Sequence, residues 1–160
     1  MTSRVVRRAD EHDVADLVRL RAEMFRAMGN PDHGDPGWQD SAGEWFRRRL
    51  DDQRFCLVVV EMNDEVVATA MGAVRDSAPS PAAPAGGDVL VSNICTDARA
   101  RRQGHARAAL DAVLEWCVTT GAGHVELMAT DAGYSMYEAA GFRPVAWPAM
   151  RAPLINKTSG

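Results

Sequence analysis

Arg101-Arg102-Gln103-Gly104-His105-Ala106 is the stretch whose residue types and spacing best suit chemistry. Before it runs Val89, Leu90, Val91, Ile94 and Cys95, an apolar strand-like segment; after it Ala106, Ala109, Leu110, Val113, Leu114 and Cys117 recur at helical spacing. The order implied is strand, tight turn, helix. The first turn of a helix leaves backbone N–H groups without intrahelical partners and carries roughly half a positive charge, so a turn delivered into it can hold an anion. Gly104 lets a ligand approach the backbone, and Ala106 keeps the next side chain small. Arg99, Arg101, Arg102 and Arg107 concentrate positive charge in a chain whose net charge is −4. A phosphate-bearing ligand fits this combination. Two nucleotide-binding patterns do not: no G-x-G-x-x-G surrounds Gly104, and no Lys-Ser/Thr follows it.

The elements that must position this turn can be read in order. Arg4-Val5-Val6-Arg7-Arg8 predicts a short first strand, and Asp10 an N-cap. Val14, Leu17, Val18, Arg21, Met24, Phe25 and Met28 then trace a helical stripe ending at Gly29-Asn30-Pro31. Residues 31–39 are turn-rich and predict a surface loop. Ser41 to Glu44 has capping-box spacing before a second helix carrying Trp45, Phe46, Arg49 and Leu50. Those aromatics beside Asp32, Asp35 and Asp40 could make a site for a cationic amine, although solvated loop acids explain the same residues. Phe55 to Glu61 and Glu65 to Val74 predict a hairpin turning at Asn63-Asp64. Asp76 to Gly87, rich in Pro and Ala, reads as a mobile insertion with too little apolar surface to order itself. Gly121-Ala122-Gly123 ends the helix after the turn. Val125 to Met128 predicts a strand, Gly133 to Ala140 a short helix, and Arg143 to Trp147 and Met150 to Leu154 two last strands.

Composition narrows the function classes. At 160 residues the chain has the length of one domain, so residues 1–160 are read as a single unit. No apolar stretch reaches the roughly 18 residues of a spanning helix, and the charged start after Met1 lacks a signal-peptide core, which predicts a cytoplasmic protein with no membrane partner. Cys56, Cys95 and Cys117 lie in apolar runs without metal-ligand spacing, so they read as buried free thiols. The four histidines are scattered, and no metal site is expected. Lys157 is the only lysine and acids outnumber bases, so nothing points to nucleic acid.

Arg101, Gly104 and Ala106 meet the pattern [Gln/Arg]-x-x-Gly-x-[Gly/Ala], which resembles the acetyl-CoA pyrophosphate loop of the GNAT superfamily of N-acetyltransferases. Asn93-Ile94-Cys95-Thr96 looks like the splayed fourth strand of those enzymes, and Tyr137-Glu138-Ala139-Ala140-Gly141-Phe142 like their Tyr-x-x-x-Gly-Phe segment. The likeness covers the C-terminal half well and the N-terminal half in outline.

The resemblance implies an α/β (α+β) fold: a mixed, mostly antiparallel central sheet, helices on both faces, and a fourth strand splayed from the fifth. It implies acetyl-CoA as cofactor, with its pantetheine arm in the gap between Asn93-Ile94-Cys95-Thr96 and Leu127-Met128-Ala129-Thr130. Backbone groups of Ile94 and Thr96 would pair with the pantetheine amides, beside Cys95, and the loop from Arg101 through Arg102, Gln103, Gly104, His105 and Ala106 to Arg107 would hold the pyrophosphate. His105 reads as a solvated side chain. Thr130 and Gly133 stand where the family often carries Asn and Ala, so contacts made by such an Asn are not carried over. Met24 to Gly29 resembles the helix end that borders the acceptor pocket.

Acetyl transfer from a thioester to an amine needs a neutral amine, a stabilised oxyanion and a proton for the leaving thiolate. Tyr137 aligns with the family's usual donor, and a phenol of pKa about 10 is protonated at neutral pH. The same tyrosine could be a packing residue, with Tyr134, one helical turn away, as the reserve donor. Glu61, Asp88, Glu126 and His124 are possible bases, each with an equally good structural role, and Asn93 could hold a relaying water. The reading is an N-acetyltransferase acting on a small-molecule or peptide amine, as a monomer or homodimer. The alternative is a non-catalytic acyl-CoA-binding module, which would have no need of a proton donor at Tyr137.

Overall fold

Valine-rich β2 (Phe55–Met62) is buried over five consecutive residues, Cys56 to Val60, as a strand covered on both faces must be. The computed structural model describes residues 3–154. β2 pairs antiparallel with β1 (Arg4–Arg8) on one side and with β3 (Glu65–Arg75) on the other. Asn63 and Asp64, at φ 51° and 65°, make the two-residue turn between β2 and β3; both residue types tolerate this left-handed backbone. β4 (Asp88–Thr96) pairs antiparallel with β3, and β5 (Val125–Glu126) parallel with β4, giving the sheet order β1-β2-β3-β4-β5. The expected mixed, mostly antiparallel sheet is therefore present.

Alternating residues send the sheet's two faces to different helices. Leu57, Val59, Val66, Met71 and Cys95 join Leu17 and Leu20 of α1 (Val14–Ala27) and Phe46 of α2 (Pro36–Arg49) in one apolar cluster. Gly72, the neighbour of Met71, faces α3 (His105–Thr119) on the other side. A Cβ there would stand 2.8 Å from Trp116 and 2.9 Å from Val113, so the missing side chain is what lets α3 lie close on β3. Asp10 caps the 3-10 turn before α1, its carboxylate accepting from His12 N at 2.8 Å while Asp13 accepts from Asp10 N at 2.7 Å. The backbone divides into two units at Met128/Ala129; the sheet and α1 to α3 belong to the first, and α4 (Tyr134–Ala139) to the second.

Five sequence expectations change. α2 starts at Pro36 rather than after Ser41: Asp35 is its N-cap and Pro36 occupies the first turn, where a missing N–H costs nothing. The aromatics expected beside an acidic loop are packing residues, because Phe46 is core and Trp45 lies edge-on to Phe46 and Phe55 with the Arg49 guanidinium 3.8 Å from its ring centre. Residues 76–87 are not an unpacked tether. Ser80 and Ala83 exchange backbone hydrogen bonds of 3.0 Å, Gly87 N donates to Ser77 O at 3.1 Å, and buried Ala83 sits where a Cβ on Gly123 would be 2.5 Å away. Residues 143–154 form no strand: Pro144, Pro148 and Pro153 remove donors from any ladder, and Val145, Trp147, Met150 and Leu154 are exposed. β5 is also shorter than the four residues expected.

Candidate active site

β4 carries an irregularity where the resemblance puts the reaction. Thr69 pairs with Cys95 and Met71 with Ser92, so Asn93 and Ile94 together oppose Ala70, and Asn93 takes φ 54°. Such a bulge bends the strand. β5 pairs with Val89 and Leu90, so among the described residues Asn93 to Thr96 follows β3 without a strand partner on its other edge. Ile94 and Thr96 are half-buried on this stretch, whereas the Cys95 side chain is in the core. Burial pushes the Cys95 thiol up to about 11.

After Thr96 the chain is pinned before it turns. Asp97 N donates to Val67 O at 2.7 Å, and the Asp97 carboxylate accepts from Arg99 N at 3.1 Å and from Arg19 at 2.9 Å. Hydrogen bonding from the Arg99 side chain, foremost, holds the Asp97 carboxyl at about 2. Arg101 reaches back to Glu23 at 3.2 Å, and Arg102 and Gly104 adopt φ 63° and 80°. Among the described residues, no backbone N–H from Arg102 to Arg107 is spent on a carbonyl or side chain; the first helical bond from the turn is Ala108 N to Gly104 O at 3.1 Å. A Cβ on Gly104 would meet no atom closer than an Arg4 guanidinium nitrogen at 3.8 Å, ordinary contact distance. Exposed Gln103, half-buried Ala106 and Arg107, which pairs with Asp111 at 2.8 Å along the helix, complete the turn. Six unspent donors heading a 15-residue helix, with arginine nearby, make an anion cradle.

His105 corrects an expectation. It is 3% exposed rather than solvated, and among the described residues neither ring nitrogen has a partner. Burial, then the Arg4 charge, lowers its pKa, so the ring is neutral at physiological pH. Arg4 itself gave no sequence signal beyond belonging to the first strand.

In the second unit, Tyr137 is buried and its ring meets Phe142 edge-on at 6.2 Å between centres. Burial raises the phenol's pKa, which keeps it protonated. A Cβ on Gly133 would lie 2.7 Å from the Tyr137 ring, so a side chain there would require the ring to shift. Thr130 is spent on the turn before α4, accepting from Gly133 N through its carbonyl at 3.1 Å and its hydroxyl at 3.3 Å. Tyr134 is exposed.

The base candidates are held elsewhere. Glu61 pairs with Arg7 at 2.8 Å. Asp88 receives Arg75 at 2.6 Å and His124 at 3.3 Å, with Glu126 3.6 Å from the same arginine. This group lies at the start of β4, about 16 Å along the strand from Asn93 by its rise per residue. Ligand atoms of Asp88, His124 and Glu126 converge within 4.8 Å, but the Arg75 guanidinium already supplies the positive charge they would ask of a metal ion. Sequence reasoning left Arg21 unassigned, although an arginine on α1's inward stripe was a visible signal; it donates to Asn93 Oδ1 at 3.0 Å.

A family model for the acetyltransferase (GNAT) family matches residues 14–142. The chain belongs to that family. It is thereby an acyltransferase by family, and the family uses acetyl-CoA. Among solved structures similar to this GNAT chain, a GCN5-related N-acetyltransferase from Ralstonia eutropha is 24% identical, with TM-score 0.83 over 95% of this chain and 99% of that one. A predicted acetyltransferase from Clostridium acetobutylicum, solved with acetyl-CoA, is 22% identical, with TM-score 0.81 over 93% and 96%. Glucosamine-6-phosphate N-acetyltransferase from Arabidopsis thaliana is 14% identical, with TM-score 0.74 over 94% and 98%. At these identities the likeness is one of fold. No curated protein matches the chain in sequence.

Proposed function

We propose that this GNAT protein is an acetyl-CoA-dependent N-acetyltransferase that moves an acetyl group directly to a primary amine of a small molecule or peptide N-terminus. The observation that carries the reading is that, among the described residues, the backbone donors from Arg102 to Arg107 are unspent and stand just after a strand stretch whose outer edge has no partner. Amides of residues 102–106 would hold the pyrophosphate, and Ile94 and Thr96 the amide groups of the pantetheine arm. Bound acetyl-CoA supplies an activated acyl group on a thiol that needs a proton to leave. Tyr137 is the residue we assign to hold that proton, on its family spacing to Gly141-Phe142 and its raised pKa.

Direct transfer, rather than an acyl-enzyme, is favoured by the thiols. Burial holds Cys95 and Cys117 at about 11 and raises Cys56, so none offers a thiolate at neutral pH. A cytoplasmic location goes with this reading, since three free thiols suit a reducing compartment. Among the described residues, no helix is long and apolar enough to cross a membrane.

Incubation with acetyl-CoA and a diverse panel of primary amines tests the proposal by thiol release. Amine-dependent release, matched by acetylated amine, is expected. Acetyl-CoA binding with no amine-dependent release would replace it with the non-catalytic module.

A further inference from the structure

Among the described residues Arg21 is a cation without a counter-ion. Other arginines of α1 and of the turn after β4 are matched: Glu23 takes Arg26 at 2.6 Å and Arg101 at 3.2 Å, and Asp97 takes Arg19 at 2.9 Å and Arg99 at 3.3 Å. Among the described residues no carboxylate pairs with Arg21, whose guanidinium is half-buried, 4.9 Å from the Phe25 ring centre. Its one hydrogen bond there goes to Asn93 Oδ1 at 3.0 Å, a neutral acceptor. Burial lowers the arginine's pKa with nothing opposing it, the mark of a desolvated charge that lacks a partner. Asn93, in turn, is 4% exposed, and its buried Nδ2 has no acceptor among the described residues. Two sets of donors, one of them charged, thus meet at the β4 bulge, and among the described residues the only acceptor between them is the neutral Asn93 Oδ1. An unpaired buried donor is costly, so the arrangement asks for an anion.

We propose that Arg21 and the Nδ2 group of Asn93 bind a carboxylate of the acetyl acceptor, so that the substrate is an amino acid or similar amine bearing a carboxylate close to its amino group. The assignment rests on the acetyltransferase reading above, in which the pantetheine arm lies along Ile94 and Thr96 next to the bulge and the α1 end from Met24 to Gly29 resembles the border of the acceptor pocket. A planar guanidinium with one Nη already committed to Asn93 still presents N–H groups that match the two oxygens of a carboxylate. A single guanidinium balances one negative charge, which fits a carboxylate better than a phosphate dianion. Phe25 stacks the guanidinium and limits its rotamers, so the donor geometry is set before the acceptor arrives.

The test compares α-amino acids with their own α-carboxamides as acceptors for acetyl-CoA, in the wild type and in Arg21→Gln. For the best-acetylated amino acid, kcat/KM should exceed that of its carboxamide by about ten- to hundredfold, mostly through KM, and Arg21→Gln should bring the ratio near unity. A ratio near unity in the wild type, or one that survives Arg21→Gln, overturns the assignment; the wild-type comparison decides even if the variant does not fold. Acetylation of simple amines but of no amino acid overturns it while leaving the acetyltransferase standing. A preference for O-phosphoethanolamine over every amino acid would make the group a phosphate site instead. Loss of acetyl-CoA affinity in Arg21→Gln, with the ratio unchanged, would assign the pair to the thioester carbonyl. If no amine is acetylated, the acetyltransferase reading fails by itself. Calorimetry of N-acetyl amino acids against N-acetyl amino-acid amides on the CoA-saturated protein then reads the same ratio, and equal affinities overturn the inference.

Discussion

Tyr137→Phe removes one hydroxyl and keeps the ring that fills the space over Gly133. If the phenol protonates the leaving thiolate, kcat should fall by about 10²-fold, the lower end of general acid catalysis because a thiolate leaves readily, with CoA affinity and thermal stability unchanged. Steady-state kinetics under conditions where chemistry limits the rate, together with a thermal melt, check this. Wild-type kcat would move the role to Tyr134 or water, and unfolding would make Tyr137 a packing residue. Asp97 bears on stability. Its folded pKa of about 2 lies below the ordinary 3.8, so the folded chain resists protonation there; the stabilisation is full above 3.8 and is lost as pH falls through 2. Arg99 is 75% exposed, so the contribution is no more than about 1 kcal/mol. Melts of wild type and Asp97→Asn between about pH 5 and pH 2 should differ at the upper end and converge at the lower. At this scale the sequence was legible where backbone decides, as at Gly104. It was not legible where burial decides: His105 reads as polar beside arginines, and only packing against the sheet hides it.

Elements whose signals are local were readable from the chain alone. The Asn63-Asp64 turn, the Asp10 cap and the α3 stripe each draw on a few neighbouring residues, and each is present. The start of α2 was not, because Pro36, Gly37 and Trp38 carry loop chemistry and only the Asp35-Pro36 pairing marks a helix start. The last strands failed for the opposite reason: their apolar residues satisfy the pattern, but a strand needs a neighbour, and prolines forbid the ladder. The segment from Asp76 to Gly87 shows how one small contact reverses a compositional reading. Burial of Ala83 against Gly123 gives it a place to pack. Deleting Ser80 to Ala85 should therefore cost about 1 kcal/mol, a fall in Tm of about 2–4 °C, rather than nothing. Differential scanning calorimetry reads this directly, and an unchanged Tm would restore the tether.

Across the whole molecule, the features that make a site gather at one end of β4: the bulge at Asn93, the free edge to Thr96, the Asp97 pin and the donors that open α3. Family membership over residues 14–142 accounts for the architecture. The acetyltransferase reading stands on the donors at the head of α3 being the cofactor's pyrophosphate site. Calorimetric titration of CoA into wild type and Gly104→Asp, both shown to be folded by circular dichroism, tests this most directly. An aspartate at Gly104 would put a negative charge among those donors and a side chain on a backbone at φ 80°. Wild type should bind CoA, and Gly104→Asp should bind at least about tenfold more weakly, as like-charge repulsion within a few ångströms of the phosphates requires. Equal affinity in the two proteins would contradict the account.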